Sequence, residues 1–208
     1  QERIELIIHA LSNRTQELFE NPNIKYILPF ENKGKEIGVT LDHPHGQIYS
    51  FGHIPEIIKK QSISQQGKPL ENYLSNIPEE LILKKNSTGI CFVPRWARYP
   101  FEIWVVPYRR VPDLYSLSDD EKKDLAELML VASKKLDGVF DTPMPYTLAW
   151  QLSPRGYEDS HHFHLCFQPI RRSKTKLKYL AGVEQITGFF LVDLPPERSA
   201  RILRGEEQ

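Results

Sequence analysis

The sequence predicts an α+β fold made of two related units of antiparallel sheet with helices, the first unit incomplete at its N-terminus. Three observations carry this. Helix-period stretches alternate with short β-branched and aromatic runs; the order helix, strand, histidine pair and glutamine-bearing strand occurs twice; and the earlier occurrence lacks the hairpin that opens the later one. Hydrophobic residues fill 40% of the 208 positions and aromatics 11%, enough for a packed core and against disorder. The 27 Lys and Arg balance 27 Asp and Glu. A chain without a field of one sign is a poor coat for nucleic acid or a membrane surface, so neither is expected as a partner.

Taken in order, residues 2–20 place Ile4, Ile7, Ile8, Leu11, Leu18 and Phe19 at helical spacing and predict an amphipathic helix. Gln1 already lies within that pattern, so upstream sequence is expected. Asn21-Pro22-Asn23 marks a turn, Ile24 to Phe30 a strand, Glu31 to Gly38 a polar loop and Gly46 to Phe51 a second strand. Residues 55–84, rich in Gln, Ser and Lys with Pro69 and Pro78, read as connecting helical turns outside the core. The runs GICFVPRW and YPFEIWVVP predict two strands joined by a short turn at Ala97 to Tyr99. Ser118 and Glu121 form a capping box with Leu117 as its staple, opening a helix through Leu125, Leu128, Met129, Ala132 and Leu136 to Gly138. Strands at Tyr146 to Leu152 and Phe163 to Phe167 follow. The resulting division is 1–60 for the C-terminal part of the first unit, 61–84 for a connector and 85–208 for the second unit. Cys91 and Cys166 lack CxxC spacing and read as buried free thiols of a reducing, cytoplasmic setting. No apolar run approaches the about 20 residues of a membrane span, and the mixed-charge opening is not a signal peptide.

The repeat is specific in its order. His43-x-His45 follows Tyr26 by 17 residues, and His162-x-His164 follows Tyr146 by 16; both tyrosines come after a helix and an Asn-Pro or Thr-Pro turn, and Gln47 and Gln168 lie in the closing strands. Pro44 pushes His43 toward extended backbone, so His43 and His45 should share a face. Two imidazoles on one face suit a surface or core pair, a metal, or a nucleophile whose second ring nitrogen is held by an acceptor.

The stretch PFENKGKEIGVTLDHPHGQIYSF, Pro29 to Phe51, resembles the active-site segment of galactose-1-phosphate uridylyltransferases, a branch of the histidine-triad superfamily, and KLKYLAGVE followed by DLPPE resembles that family's C-terminal region. The likeness covers essentially the whole chain and implies half-barrel units of histidine-triad type. It further implies that His45 attacks the α-phosphorus of UDP-glucose, releases glucose 1-phosphate and carries uridylyl to galactose 1-phosphate in a ping-pong reaction. Gln47 would hydrogen-bond the phosphoryl oxygens, and Asn32, Gly38, Val39 and Thr40 would hold the nucleotide's phosphates and ribose, Gly38 by letting backbone N–H groups approach an anion. His43 would ligate a structural zinc whose other ligands, a Cys-x-x-Cys pair and a histidine, lie upstream in the family. Lys178, Tyr179, Val183 and Glu184 would reach the hexose phosphate of the opposite subunit in a homodimer.

Taken singly, these residues have plainer readings. Lys178 belongs to the basic run Lys174 to Lys178 and Glu184 to an ordinary charged surface, while Asn32 and Gly38 suit any loop and Gln47 any exposed strand. Some relatives bind a second metal at the second histidine pair; here Gln151 and Cys166 stand at two ligand positions, so His162 and His164 are expected to be structural. Two other functions stay open: a nucleotide-sugar or dinucleoside-polyphosphate hydrolase or phosphorylase using the same nucleophile, and a non-catalytic nucleotide-binding fragment.

Overall fold

The helical and extended patterns resolve, in a computed structural model that describes residues 1–38, 45–140 and 142–207, into helices and strands in the predicted order, except that Ile82–Lys85, at the end of the expected helical connector, forms a strand. These are α1 (Glu2–Phe19), β1 (Tyr26–Lys33), β2 (His45–Phe51), α2 (Glu56–Ser64), α3 (Pro69–Ser75), β3 (Ile82–Lys85), β4 (Gly89–Phe92), β5 (Ile103–Pro107), α4 (Asp119–Asp137), β6 (Tyr146–Gln151), β7 (His164–Pro169), α5 (Gly182–Thr187) and α6 (Pro196–Arg204). The capping box of α4 forms as its sequence requires: Glu121 N–H donates to Ser118 Oγ at 3.2 Å, and Ser118 N–H to Glu121 Oε2 at 2.8 Å.

Among the described residues the strands make one antiparallel sheet in the order β2-β1-β6-β7-β5-β4-β3. The first-unit strand β1 pairs with the second-unit strand β6, Phe30 opposite Ala149 and Lys33 opposite Tyr146, so residues 1–60 and 85–208 share a sheet. Antiparallel pairing of equivalent strands relates the hairpins β1–β2 and β6–β7 by an approximate twofold normal to the sheet. Register makes the duplication sharper than spacing did. Asn32 faces His45 across the first hairpin and Gln151 faces His164 across the second, and each histidine opens its strand.

Two boundaries differ from expectation. Glu31 to Lys33, read as loop, extend β1 because they pair on both sides, with β2 and with β6; ladder formation outweighs their polar composition. The β4–β5 connection is longer than a turn at Ala97 to Tyr99. It is organised by the fully buried carboxylate of Glu102, which accepts from Arg98 N–H at 2.8 Å, Tyr99 N–H at 3.2 Å and Trp104 Nε1–H at 2.9 Å.

One sheet face carries the main core. Ile8 of α1 and Leu125, Leu128 and Met129 of α4 pack with Ile27, Leu148, Trp150, Leu165 and Phe167, and α6 adds Ala200 and Leu203. The opposite face is where the reading of 55–84 as lying outside the core fails. Leu70 and Leu74 of α3 are buried against Ile90, Phe92, Trp104 and Val106 in a second cluster. The segment's apolar residues are few, but they recur four apart on one short helix and so make a narrow stripe that a composition count averages away.

A polar seam fixes α2 beneath the sheet's second half. Ser62 Oγ lies 3.0 Å from His161 Nδ1, whose other nitrogen donates to the Gln151 carbonyl at 3.1 Å. His162 N–H donates to Gln65 Oε1, His162 Nε2–H to the Pro107 carbonyl at 2.8 Å, and His164 Nδ1–H to the His162 carbonyl at 2.8 Å. Burial pushes the imidazole of His161 down to about 4, that of His164 to about 3, and that of His162 downward as well. These three rings are held neutral.

A second tie joins the units at the edge of the sheet. Arg155, from the second unit, donates to the carbonyls of Phe19 at 2.7 Å and Ile24 at 3.0 Å, stands 5.6 Å over the Phe19 ring and thereby caps the C-terminal end of α1.

Two outcomes follow from these ties. Arg155→Met should destabilise the chain by roughly 1–3 kcal/mol, read as a lowered urea midpoint, because several carbonyls lose a charged donor. Folded-state histidine pKa values below the unfolded value mean that the unfolded chain takes up protons first as pH falls. Stability should therefore be full above about pH 6.5 and decline toward pH 4 by about 1.4 kcal/mol per pH unit for each of His161 and His164. Urea unfolding at pH 7 and pH 5 measures this, and His164→Gln should flatten the slope.

Candidate functional site

Alternation along the strands sorts the candidate residues by face. Asn32, Phe30 and Leu28 of β1 lie opposite His45, Gln47 and Tyr49 of β2, so all six project from one face, the one bearing α2. Thr147, Ala149 and Gln151 of β6 continue that face, in register with Asn32 and Phe30. His45 is half-buried at the start of β2, and Gln47 is exposed two residues on. The structure thus brings Asn32, His45 and Gln47 together as neighbouring side chains.

Thr147 adds what sequence reasoning missed. Its hydroxyl donates to Asn32 Oδ1 at 2.9 Å, which fixes the amide and leaves the Asn32 N–H groups for an acceptor beside His45. Asn32 and Thr147 are 115 residues apart, and only the β1–β6 register joins them. The groove over this face, about 420 Å³, is floored by Leu28, Phe30 and Ala149 and edged by Asn32, Gln61, Gln151, Gln168 and Arg98. Amides able to donate and accept, with one guanidinium, suit a hydroxyl-rich anion.

The turn after β1 holds two glycines of different kinds. At Gly34, in the FENKG motif, φ is +100° and a Cβ would come within 2.8 Å of Pro145 Cβ, so no side chain fits, a constraint set by the second unit and invisible in the motif itself. Gly38 is left-handed at φ +79°, and its own N–H donates to the Lys35 carbonyl at 3.0 Å. Arg171 pairs with Glu36 at 2.7 Å and anchors the turn to the chain after β7. Val39, Thr40 and His43 lie outside the described residues.

The C-terminal candidates cluster with one another. Lys178 Nζ donates to Glu184 Oε1 at 2.7 Å and to the Leu191 carbonyl at 2.8 Å, and its side chain is only 7% exposed. Glu184 also accepts from the N–H groups of Leu191 at 2.9 Å and Ala181 at 2.6 Å; Lys178 first, then these N–H groups, hold its carboxyl down to about 2. Both plain readings are thereby overturned: neither residue is a solvated surface charge, and the ammonium of Lys178 already has partners. Tyr179 and Val183 are exposed, beside Ile186 and Phe189.

The second histidine pair fits a hard metal poorly. The Cys166 thiol donates to the Glu102 carboxylate at 3.3 Å, and burial raises its pKa far above the ordinary value, so it is a neutral thiol. Gln151 Oε1 lies 3.4 Å from the Tyr26 hydroxyl, and His164 stacks on the Trp104 indole at 4.2 Å. Among the described residues no three histidine, cysteine or acidic side chains are grouped to hold a metal. Cys91 and Cys166 are free and buried, and no helix among the described residues is long and apolar enough to cross a membrane.

Comparison with known proteins agrees with this geometry. Residues 1–55 match the family model described as galactose-1-phosphate uridyl transferase, N-terminal domain, and residues 60–207 match the C-terminal domain model. The galactose-1-phosphate uridylyltransferase of Thermotoga maritima is 37% identical over 215 residues, covering 99% of this chain and 68% of the relative. That of Haemophilus influenzae is 32% identical, covering 97% of this chain and 60% of the relative, so the chain spans less than two thirds of that protein's length. A solved uridylyltransferase mutant superposes with a TM-score of 0.90 at 30% identity, over 99% of this chain and 70% of its own.

Proposed function

Because the chain belongs to the galactose-1-phosphate uridylyltransferase family, we propose that it transfers uridylyl from UDP-glucose to galactose 1-phosphate through His45. The supporting observation is the register that sets Asn32, His45 and Gln47 side by side on two paired strands, with the Asn32 amide held by Thr147. A ring nitrogen of His45 attacks the α-phosphorus, an N–P bond forms, and the bond to the bridging oxygen breaks with its electrons leaving on glucose 1-phosphate. A phosphate oxygen of galactose 1-phosphate then attacks the same phosphorus, the N–P bond breaks, and UDP-galactose leaves with His45 restored. Gln47 and Asn32 donate to the phosphoryl oxygens as charge builds on the five-coordinate phosphorus.

Gly38, and after it in sequence Val39 and Thr40, would border the nucleotide, and His43 would help to hold a structural zinc. Tyr179 and Val183, exposed on a tail whose shape is set by the Lys178–Glu184 pair, meet the hexose phosphate across a homodimer; their exposed apolar neighbours Ile186 and Phe189 accord with burial by a second copy. The buried free thiols accord with a reducing cytoplasm.

His45→Ala should abolish exchange of label between UDP-glucose and glucose 1-phosphate while leaving the fold intact by circular dichroism; persistent exchange would sink the proposal. Release of nucleotide without any hexose phosphate should be nearly silent, and rapid release would favour a hydrolase. Thr147→Val, which frees the Asn32 amide to rotate, should lower kcat/KM by about tenfold, the worth of one oriented hydrogen bond. Thr147→Ser should restore most of it.

A further inference from the structure

We propose that the second unit carries a ligand site of its own, a cavity of about 560 Å³ that takes a nucleotide, its base against Trp96 and its phosphate on Arg98. The starting point is the register-matched duplication: the pair Gln151 and His164 in the second hairpin repeats Asn32 and His45 in the first. The choice of a nucleotide rests on the proposed function of the first unit. Chemistry is absent from the second, because the His164 ring is buried and covered by Trp104, stacked at 4.2 Å and 20°. What is left on the far side of Trp104 is room for binding.

That room is bounded by α2 and α3 on one side and by the β4–β5 connection on the other, with Gln61, Tyr73, Trp96, Arg98 and Trp104 in its wall. Trp96 meets Tyr73 edge-on at 4.9 Å and Trp104 at 5.2 Å, and is 42% exposed, so its indole is held in place while part of it stays open to a planar base. The amide oxygen of Gln61 is buried without a hydrogen-bond partner and can accept from a base N–H.

Arg98 supplies the anion contact. Its backbone is pinned by Glu102, its guanidinium stands 5.4 Å over the Phe190 ring, and on the sheet side it hydrogen-bonds the neutral Cys166 thiol, a weak partner that leaves its charge uncompensated there. Arg95, on the same connection, acts electrostatically on Tyr73 and adds positive charge there, while Glu197 of α6 opposes it. A guanidinium already stacked on an aromatic ring loses little freedom on binding phosphate.

UMP is the probe, read by tryptophan fluorescence in the full chain. Saturable quenching with the same midpoint is expected in the unaltered protein and in the double variant Asn32→Ala, His45→Ala, which strips the first site of its phosphate-binding amide and its imidazole. Arg98→Gln should weaken it about tenfold, the scale of one charge-assisted phosphate contact; because Arg98 borders both cavities, Trp96→Leu, which lines the second cavity and not the groove over Asn32, assigns the site and should remove most of the amplitude, with thermal unfolding verifying that both variants fold. Quenching untouched by Arg98→Gln, quenching lost in the double variant, no saturable quenching at all, or ribose 5-phosphate binding as tightly as UMP would each overturn the site. If UMP quenches but label exchange through His45 fails, the transferase reading falls and this site stands; exchange without quenching is the reverse.

Discussion

The pairing of β1 with β6 is the contact on which everything else depends. It turns two hairpins into one continuous sheet, so that the strand carrying Asn32 is buried between β2 and the second unit instead of lying at an edge. An unpaired β1 would expose a row of backbone donors and acceptors and would leave the Asn32 amide free to turn. With the pairing made, backbone ladders on both sides hold the Asn32 backbone and Thr147 holds its side chain.

The two sheet faces divide the work. Helices α1, α4 and α6 bury one face with large apolar side chains, which supplies most of the area removed from water. The other face mixes a small apolar cluster with a hydrogen-bonded seam of neutral histidines, and it is this less hydrophobic face that leaves room for grooves. Charge follows the same logic. With acids and bases equal in number, no global field attracts an anion, and positive charge is placed locally: Lys178 is spent on shaping the tail, whereas Arg98, held by Phe190 and the Cys166 thiol, borders both cavities.

The fold was legible where one element's own pattern decides its state. The spacing of Ile4 to Phe19, the Ser118 and Glu121 cap and the β-branched runs each depend on neighbours in sequence, and each formed as expected. Legibility ended where a distant partner decides. Glu31 to Lys33 have the polar composition of a loop, yet β6 recruits them into the ladder; residues 69–75 have the composition of a connector, yet Phe92 and Trp104 offer their stripe a partner. The FENKG and HPHGQ motifs pointed to His45, Gln47 and Asn32 through resemblance, but neither carries any trace of Thr147, which enters from the other unit.

The sequence by itself determined that this chain is a duplicated α+β protein, that a histidine and an amide recur in each copy, and that its thiols are few and unpaired, because repeats, spacing and composition are properties of the chain alone. Only the tertiary structure decided that the copies join through equivalent strands, that Asn32 is oriented by Thr147, that Lys178 and Glu184 are buried partners, and that Trp104 closes the second histidine off. The reason is common to all four. Each depends on which groups meet across more than one element, and a buried polar group is worth having only when a distant partner satisfies it.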